Sequence, residues 1–262
     1  MSIINLNHLI AIAQEAGQAI LEIYQTDFTI ENKEDDSPLT SADKASHAII
    51  AKALKESYPV IPVLSEEGKG VAYEERKNWN RFWLVDPIDG TKEFIKRNGE
   101  FTVNIALIEN GYPVLGVIYA PALGTLYVGQ QGEGAYKVDD RGIKTELKVK
   151  ALEESQYTIV ESRSHPSPEV NEYLSKLEKR FTQIRRIEKG SSLKFCAVAE
   201  ALADSYPRFG PTMEWDTAAG QAIVEAAGGK VVNLQGQRFS YNKESLLNDY
   251  FIALSHEVDT IN

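Results

Sequence analysis

The chain has 262 residues, 43% of them hydrophobic and 25% charged, which is typical of a folded globular protein rather than a disordered, collagenous or coiled-coil chain. Its 28 lysines and arginines stand against 38 aspartates and glutamates, which gives a formal net charge of −10. This balance argues against a protein that binds nucleic acid through a broad basic face. A small anionic ligand is compatible with it where local cations or metal ions supply positive charge.

Cysteine content and hydropathy narrow the class further. Cys196 is the single cysteine, which excludes an internal disulfide and a cysteine-built metal site. It lies in an apolar stretch, 193–202, that predicts a buried structural thiol. The first 20 residues lack the pattern of a signal peptide, and no apolar run approaches the ~18 residues of a membrane span. We therefore expect a cytoplasmic protein without an integral membrane segment, and leave open peripheral attachment to the inner membrane face.

The apolar spacing predicts alternating helices and strands, with a meander of strands between 101 and 128 that is broken by Asn110-Gly111. A polar stretch at 139–153 is predicted to connect two halves. In chain order, the patterns predict helices at 5–24, 42–57, 92–96, 168–179, 192–203 and 217–227, and strands at 60–64, 81–85, 101–108, 114–119, 125–128, 157–161 and 230–232.

This order of elements favours an α+β fold in which large mixed sheets pack between helices. We expect two closely packed subdomains. Residues 1–150 would form an N-terminal α+β subdomain that carries most of the acidic site, and residues 151–262 a C-terminal subdomain that completes it.

The most informative stretch is Asp86-Pro87-Ile88-Asp89-Gly90-Thr91, which follows a hydrophobic strand. Two carboxylates three residues apart in a turn can converge on one centre, and the carbonyl of Ile88 falls between them. Such hard oxygen donors suit Mg²⁺ or Mn²⁺ better than zinc. Gly90 permits close backbone approach, and Thr91 opens a short helix whose free N–H groups favour phosphate. A β-turn with a threonine cap is the simpler alternative.

Other acids have less specific surroundings. Glu66 and Glu67 end a predicted strand, where an acidic pair is either solvated or part of a site shared by neighbouring strand ends. Thr40 and Asp43 open the second predicted helix, and Asp216 opens the last one. Helix capping alone explains these three residues.

Three stretches together carry a family resemblance: Asp86–Thr91, the upstream pair Glu66-Glu67 and the downstream segment Trp215–Gly220. Over nearly the whole chain, their order and spacing resemble the Mg²⁺-dependent, lithium-sensitive inositol monophosphatase superfamily. The resemblance implies a phosphatase with a layered αβαβα sandwich. It also implies Mg²⁺ as the cofactor, with two or three ions bound and Mn²⁺ as a substitute.

The resemblance also implies residue roles. Thr91, with Asp43 and Glu66, would orient and deprotonate the attacking water, and the amides of Gly90 and Thr91 would hold the scissile phosphate. One ion would lie between Glu66 and Asp86, and a second between Asp86, Asp89 and Asp216. The implied metal ligands are Glu66, Asp86, the carbonyl of Ile88, Asp89 and Asp216.

Within the superfamily, the chain looks like the bacterial 3′(2′),5′-bisphosphate nucleotidases of the CysQ type, through Val63–Glu67, Trp83–Asn104, Ser162–His165, Gly190–Cys196 and Tyr206–Thr212. The implied substrate is adenosine 3′,5′-bisphosphate or its sulfated form, with a role in sulfur assimilation. The implied substrate contacts are Glu66, Ile88, Asp89, Gly90, Thr91, His165, Gly190, Ser191, Ser192, Lys194, Arg208 and Asp216.

Alternatives stay open at this point. Lys194 has an alternative explanation as a solvated lysine at a helix start, and His165 beside Pro166 has one as a loop histidine without a role. An inositol 1-monophosphatase or another sugar phosphatase would use the same metals but needs no second anion pocket. A non-catalytic nucleotide-binding regulator is the rival outside the enzymes. The sequence does not decide between a monomer and a homodimer.

Overall fold

The computed structural model describes residues 3–32, 38–153, 155–163 and 168–256. In these ranges the helices are α1 (Leu6–Tyr24), α2 (Ser41–Ser57), α3 (Tyr73–Arg76), α4 (Thr91–Ile95), α5 (Glu169–Leu177), α6 (Leu193–Ala199) and α7 (Glu214–Ala226), with a 3₁₀ turn at Pro121–Leu123. The strands are β1 (Ile30–Asn32), β2 (Pro38–Thr40), β3 (Val63–Ser65), β4 (Arg81–Asp89), β5 (Thr102–Glu109), β6 (Tyr112–Ala120), β7 (Thr125–Gln130), β8 (Gly134–Val138), β9 (Lys144–Leu147), β10 (Gln156–Ser162), β11 (Gln183–Lys189), β12 (Ser205–Arg208), β13 (Lys230–Asn233) and β14 (Phe251–Leu254).

These elements form five layers in the order α–β–α–β–α, which confirms the predicted fold class. Helices α1 and α2 cover one face of a seven-stranded sheet with the strand order β3-β4-β5-β6-β7-β8-β9. Helices α6 and α7 fill the space between its other face and a five-stranded sheet ordered β11-β10-β12-β14-β13. Helix α5 packs on the outer face of that second sheet.

Helix α7 lies deepest, because both sheets enclose it, and nine of its 13 residues are buried. Its close approach to the first sheet depends on two glycines of β6 and β7. A Cβ at Gly116 would stand 2.5 Å from the carbonyl oxygen of Ala219, and one at Gly129 would stand 2.5 Å from the Cα of Ile223. Any larger residue at these positions would push the helix, and with it Asp216, away from the sheet.

Three predicted boundaries are wrong. The strand predicted at 81–85 continues to Asp89, because pairing with β5 resumes after an irregularity between Asp86 and Asp89. The stretch 139–153 is not only a connection, since β9 within it adds an edge strand to the first sheet. The helix predicted at 192–203 ends at Ala199. The predicted division at residue 150 separates the two sheets. Because the two sheets share one core, the division of the chain into two subdomains stays a prediction.

The structure confirms the predicted burial of Cys196. Cys196 is buried, and burial raises the pKa of its thiol well above the usual value. Among the described residues, no helix is long and apolar enough to cross a membrane.

A buried arginine joins the N-terminal half of the chain to the start of α7. Arg76 is 2% exposed, and its guanidinium donates to Asn242 Oδ1 (2.9 Å) and to the carbonyl oxygens of Lys243 (2.6 Å) and Glu244 (2.8 Å). The N–H groups of Asn242 (2.8 Å) and Lys243 (3.0 Å) in turn donate to the fully buried carboxylate of Glu214. Arg76 thus holds the segment that fixes the first residue of α7.

Arg76→Met is expected to lower the free energy of unfolding by about 3 kcal/mol, because it removes three hydrogen bonds that a buried guanidinium makes to the 242–244 segment. Urea denaturation monitored by circular dichroism measures the loss. Lys77→Met is the matched control, since this lysine pairs with Glu74 at the surface and its removal should change stability by less than about 0.5 kcal/mol. A loss for Arg76→Met as small as that of the control would contradict the proposed role.

Candidate active site

The site begins where two neighbouring strands end. Strands β3 and β4 are parallel, so their carboxyl ends lie at the same edge of the sheet. Glu66 follows β3 directly, and its N–H donates to the carbonyl of Val85 at 3.1 Å. This bond keeps Glu66 beside Asp86, and burial together with the nearby charge of Glu66 raises the pKa of Asp86. The two strand ends therefore lie side by side, and a functional site shared between them stays a prediction.

The irregularity in β4 turns its last residues toward the site. Asp86 Oδ1 accepts the N–H of Ile88 at 3.0 Å, which closes a tight turn around Pro87. The carbonyl of Pro87 accepts the hydroxyl of Ser46 at 2.8 Å, and this bond ties the turn to α2. Asp86, the Ile88 backbone and Asp89 consequently all border one cavity.

Asp216 reaches the same cavity from the opposite layer. It stands in the first turn of α7, and its Oδ2 accepts the N–H of Met213 at 2.8 Å. Asp216 thus both caps α7 and borders the cavity, and the capping interpretation of the sequence covered only the first of these.

Asp43 also has two functions. Its Oδ2 accepts the N–H and the hydroxyl of Thr40, both at 2.7 Å, in a capping box at the start of α2. Its Oδ1 lies 3.4 Å from Thr91 Oγ1, which is also 3.4 Å from the carbonyl of Ile88. Asp43 is buried and does not itself border the cavity, so it reaches the cavity through Thr91.

Crowding of these acids has a strong electrostatic effect. Burial raises the pKa of Asp86 well above its usual value, and the nearby charges of Glu66, Asp89 and Asp216 raise it further. Burial likewise raises the pKa of Asp216, followed by the charges of Asp89 and Glu66. Buried carboxylates that repel one another can all be ionised at the same time only if a cation is bound beside them.

The donor set fits divalent magnesium. Carboxylate and carbonyl oxygens are the ligands that Mg²⁺ prefers, and it takes one or two carboxylates and completes its shell with water and phosphate oxygens. The adjacent carboxyl groups of Glu66 and Asp86, with the Ile88 carbonyl, meet this need. In the described part of the chain, no three acidic, histidine or cysteine side chains already form a cage for one ion.

The three-acid set of Asp86, Asp89 and Asp216, which the sequence predicts for a second ion, is accordingly not assembled. One oxygen of each of two of these acids, Oδ2 of Asp89 and Oδ2 of Asp216, accepts hydrogen bonds from the protein. As metal ligands, these residues stay a prediction.

The acids line a cavity of about 710 Å³ together with three cationic side chains, of which Lys194 and Arg208 are buried. Lys194 is 6% exposed, and burial lowers its pKa to about 8, while Asp89 acts in the opposite direction. Arg208 is 9% exposed. One of its Nη atoms donates to the carbonyl of Pro211 at 2.8 Å, and its buried Nε has no hydrogen-bond partner among the described residues.

The 190–192 turn differs from its predicted role. The N–H of Gly190 donates to Glu100 Oε2 at 2.8 Å, and Gly190 does not border the cavity, so its amide is not available to a ligand. Ser191 and Ser192 do border the cavity, but their hydroxyl groups donate to Asp89 Oδ2 at 2.8 and 2.7 Å. His165 lies outside the described residues.

The structure brings most of the predicted residues together and adds several that the prediction did not include. Glu93 is the informative omission, since it is a buried acid one helical turn after Asp89, a spacing visible in the sequence. The predicted residues on the cavity wall are Glu66, Asp86, Ile88, Asp89, Gly90, Thr91, Ser191, Ser192, Lys194, Arg208 and Asp216. The additional ones are Lys92, Glu93, Ser162, Pro168, Glu169, Phe195, Tyr206, Phe209, Gly210, Pro211, Thr212 and Thr217.

Comparison with known proteins agrees with this arrangement. The family model of the inositol monophosphatase family matches residues 5–257. The 3′(2′),5′-bisphosphate nucleotidase CysQ of Salmonella typhimurium is 50% identical over 250 residues, which cover 94% of this chain and 98% of that protein. The protein of the same name from Escherichia coli K12 is 47% identical over 250 residues, covering 94% and 98%.

Solved structures show the same fold. CysQ from Bacteroides thetaiotaomicron, described as a bacterial member of the inositol monophosphatase family, aligns with a TM-score of 0.83 and 45% identity over 96% of this chain and 98% of that one. An inositol monophosphatase from Anabaena (Nostoc) aligns with a TM-score of 0.71 and 26% identity over 95% and 89%. Sequence, fold and the match along almost the whole length agree, and the chain belongs to the inositol monophosphatase family.

Proposed function

We propose that the chain is a Mg²⁺-dependent 3′(2′),5′-bisphosphate nucleotidase that hydrolyses adenosine 3′,5′-bisphosphate to AMP and phosphate. The observation that carries this proposal is a single cavity that is lined both by the acids and by two buried cationic side chains, Lys194 and Arg208. The relatives named CysQ support it, since they are 47–50% identical over most of the chain. Placement in the cytoplasm and in sulfur assimilation belongs to the same proposal.

The acidic residues of the cavity are the proposed place of the ions. Glu66, Asp86, the Ile88 carbonyl, Asp89 and Asp216 would hold them. When bound, divalent ions offset the repulsion between phosphate and nucleophile, lower the pKa of water and stabilise the leaving oxygen. No covalent enzyme intermediate is required. This is consistent with the position of Cys196, the single cysteine of the chain, which does not border the cavity.

Thr91 and Asp43 would receive the proton of the attacking water. Because Asp43 Oδ2 is occupied by Thr40, its Oδ1 is the oxygen that faces Thr91. The Thr91 hydroxyl can pass its proton to Oδ1 as it accepts one from the water. The water oxygen then bonds to phosphorus, the ester P–O bond breaks, and the 3′-oxygen leaves and takes a proton from solvent.

Lys194 and Arg208 would select a substrate with a second phosphate. A monophosphate places its single anionic group at the acids and leaves Lys194 and the unpartnered Nε of Arg208 without an anion. A 3′,5′-bisphosphate provides one, and charge-assisted hydrogen bonds are worth about 1.5–3 kcal/mol each. Phe209 on the same wall offers an aromatic surface beside Arg208 for the rest of the nucleoside.

Initial-rate assays of the purified chain test the proposal. With Mg²⁺, kcat/KM for adenosine 3′,5′-bisphosphate is expected to exceed that for inositol 1-phosphate, which has no second phosphate, by about 10- to 100-fold, the value of one charge-assisted contact. It should also exceed that for fructose 1,6-bisphosphate. EDTA should abolish phosphate release, and lithium should inhibit it. Preference for either non-nucleotide would favour a sugar phosphatase, and tight nucleotide binding without phosphate release would favour a regulator.

A further inference from the structure

A row of polar side chains crosses the buried face of the first sheet under the 190–192 turn. Thr102 and Asn104 alternate along β5 and therefore point to the same face, and Glu100 precedes them in the same alternation. They are 0%, 1% and 8% exposed. The strand around them is otherwise apolar, so three polar residues at this spacing in a core need a reason.

Each member of this row contacts one residue of the turn, in order. Glu100 accepts the N–H of Gly190 at 2.8 Å. Thr102 Oγ1 lies 2.6 Å from Ser191 Oγ and 2.9 Å from Asn104 Oδ1, and Ser191 can donate its own proton to Asp89 when Thr102 donates to Ser191. Asn104 Nδ2 donates to Ser192 Oγ at 2.8 Å.

The chain of bonds ends on an acid of the site. Ser191 and Ser192 both donate to Asp89 Oδ2, at 2.8 and 2.7 Å. An amide N–H can only donate, so the bond from Asn104 occupies a lone pair of Ser192 and directs its hydroxyl proton onward, to Asp89 or to the carbonyl of Asp216 at 3.0 Å. Among the described residues, the other oxygen of Asp89, Oδ1, has no hydrogen bond.

Strand register makes this arrangement specific to the acids. In the pairing of β4 with β5, Asn104 stands opposite Asp86 and Thr102 opposite Asp89. The row is thus placed beside both acids by the sheet itself, while the serines reach it from the layer of α6. Ser191 has a φ of 52°, a left-handed conformation that is costly for a non-glycine residue and persists where surrounding bonds hold it.

We propose that Thr102 and Asn104 are positioning residues: through Ser191 and Ser192 they commit Oδ2 of Asp89 and leave Oδ1 directed to the metal. The inference rests on the proposed function, since it takes Asp89 as a metal ligand. Residues that orient a ligand by hydrogen bonds affect metal affinity although they do not touch the ion.

The test measures binding of Mn²⁺ alone to the metal-free protein by isothermal titration calorimetry, with assays at varied Mg²⁺ beside it. Thr102→Val and Asn104→Leu are each expected to raise the Kd for Mn²⁺ and the Mg²⁺ concentration for half-maximal rate by about 10-fold or more. At saturating Mg²⁺, KM for adenosine 3′,5′-bisphosphate should stay within about 2-fold of the original value, since neither residue is proposed to touch it. Thr102→Ser, which keeps the hydroxyl, should restore the original Kd.

Ser205→Ala is the matched control, because Ser205 is a fully buried hydroxyl in β12 that accepts from Tyr173 at 3.3 Å, and its loss should leave the Kd unchanged. The double variant Asn104→Leu with Ser192→Ala should bind Mn²⁺ no more weakly than the poorer single variant, since both interrupt one path. A Kd within about 2-fold of the original in Thr102→Val overturns the proposal, and this variant decides alone where Asn104→Leu does not fold. Failure of the unsubstituted chain to bind Mn²⁺ would instead contradict the proposed function.

Discussion

Asp86→Asn is expected to lower kcat by about 10³-fold, because it removes a central carboxylate from a site where bound metal supplies several kcal/mol of transition-state stabilisation. The same change should make the metal-free protein more stable. Asp86 is buried among Glu66, Asp89 and Asp216, and its raised pKa means that its charge opposes folding when no cation is present.

The sign of this stability effect follows from linkage. When the pKa of a carboxyl group is higher in the folded than in the unfolded state, the free energy of unfolding of the protein falls as pH rises. The fall occurs between the unfolded-state pKa and the folded-state pKa. At neutral pH the metal-free protein therefore carries this cost, and the neutral amide of asparagine removes it. Added Mg²⁺ should raise the Tm of the original protein more than that of the variant, since a ligand stabilises the state that it binds.

Differential scanning calorimetry with EDTA and with Mg²⁺ measures both effects, alongside the rate assay. Asp204→Asn is the matched control, because Asp204 is equally buried but accepts the N–H of Thr158 at 2.7 Å and faces Lys150 at 3.5 Å. That substitution should lower the Tm and leave kcat unchanged. A metal-free Asp86→Asn protein that melts at a lower temperature, or that turns over normally, would show that Asp86 does not have the role given to it.

The first two helices were predicted well from the sequence because each buries one face and repeats it. Helix α1, for example, was expected at 5–24 and spans Leu6–Tyr24. Several strands of the second sheet were missed for a physical reason. Strand β11 has an exposed or half-exposed side chain at every position, and β12 contains Pro207, so neither carries an apolar alternation. Their pairing partners, which define them, are distant in sequence.

The site divides in the same way. Asp86 and Asp89 were predicted to lie at one place because of their spacing in a short stretch, and both border the cavity. The hydrogen bonds from Ser191 and Ser192 to Asp89 were not, because a sequence does not show which acceptor a hydroxyl will meet across two layers. Asn104 left a signal that was overlooked, namely a polar residue in an otherwise apolar strand.

Lys194→Met and Arg208→Met are expected to separate substrate recognition from hydrolysis. Each should raise KM for adenosine 3′,5′-bisphosphate by about 10- to 100-fold, the cost of one charge-assisted hydrogen bond. The rate on adenosine 3′-monophosphate, which lacks the 5′-phosphate, should change by less than about 3-fold, because that substrate has no second anion to lose. The preference for the bisphosphate would then fall by the difference.

Unfolding does not explain such a loss, and two measurements show why. Burial disfavours the charge of Lys194 and lowers its pKa to about 8, so an apolar side chain of similar length should keep or raise the Tm. Arg186→Met is the matched control, since this arginine forms an exposed pair with Glu161 at 2.7 Å and should change neither KM. Equal losses on both substrates would mean that Lys194 and Arg208 support the arrangement of the acidic residues. The cavity would then recognise a single phosphate.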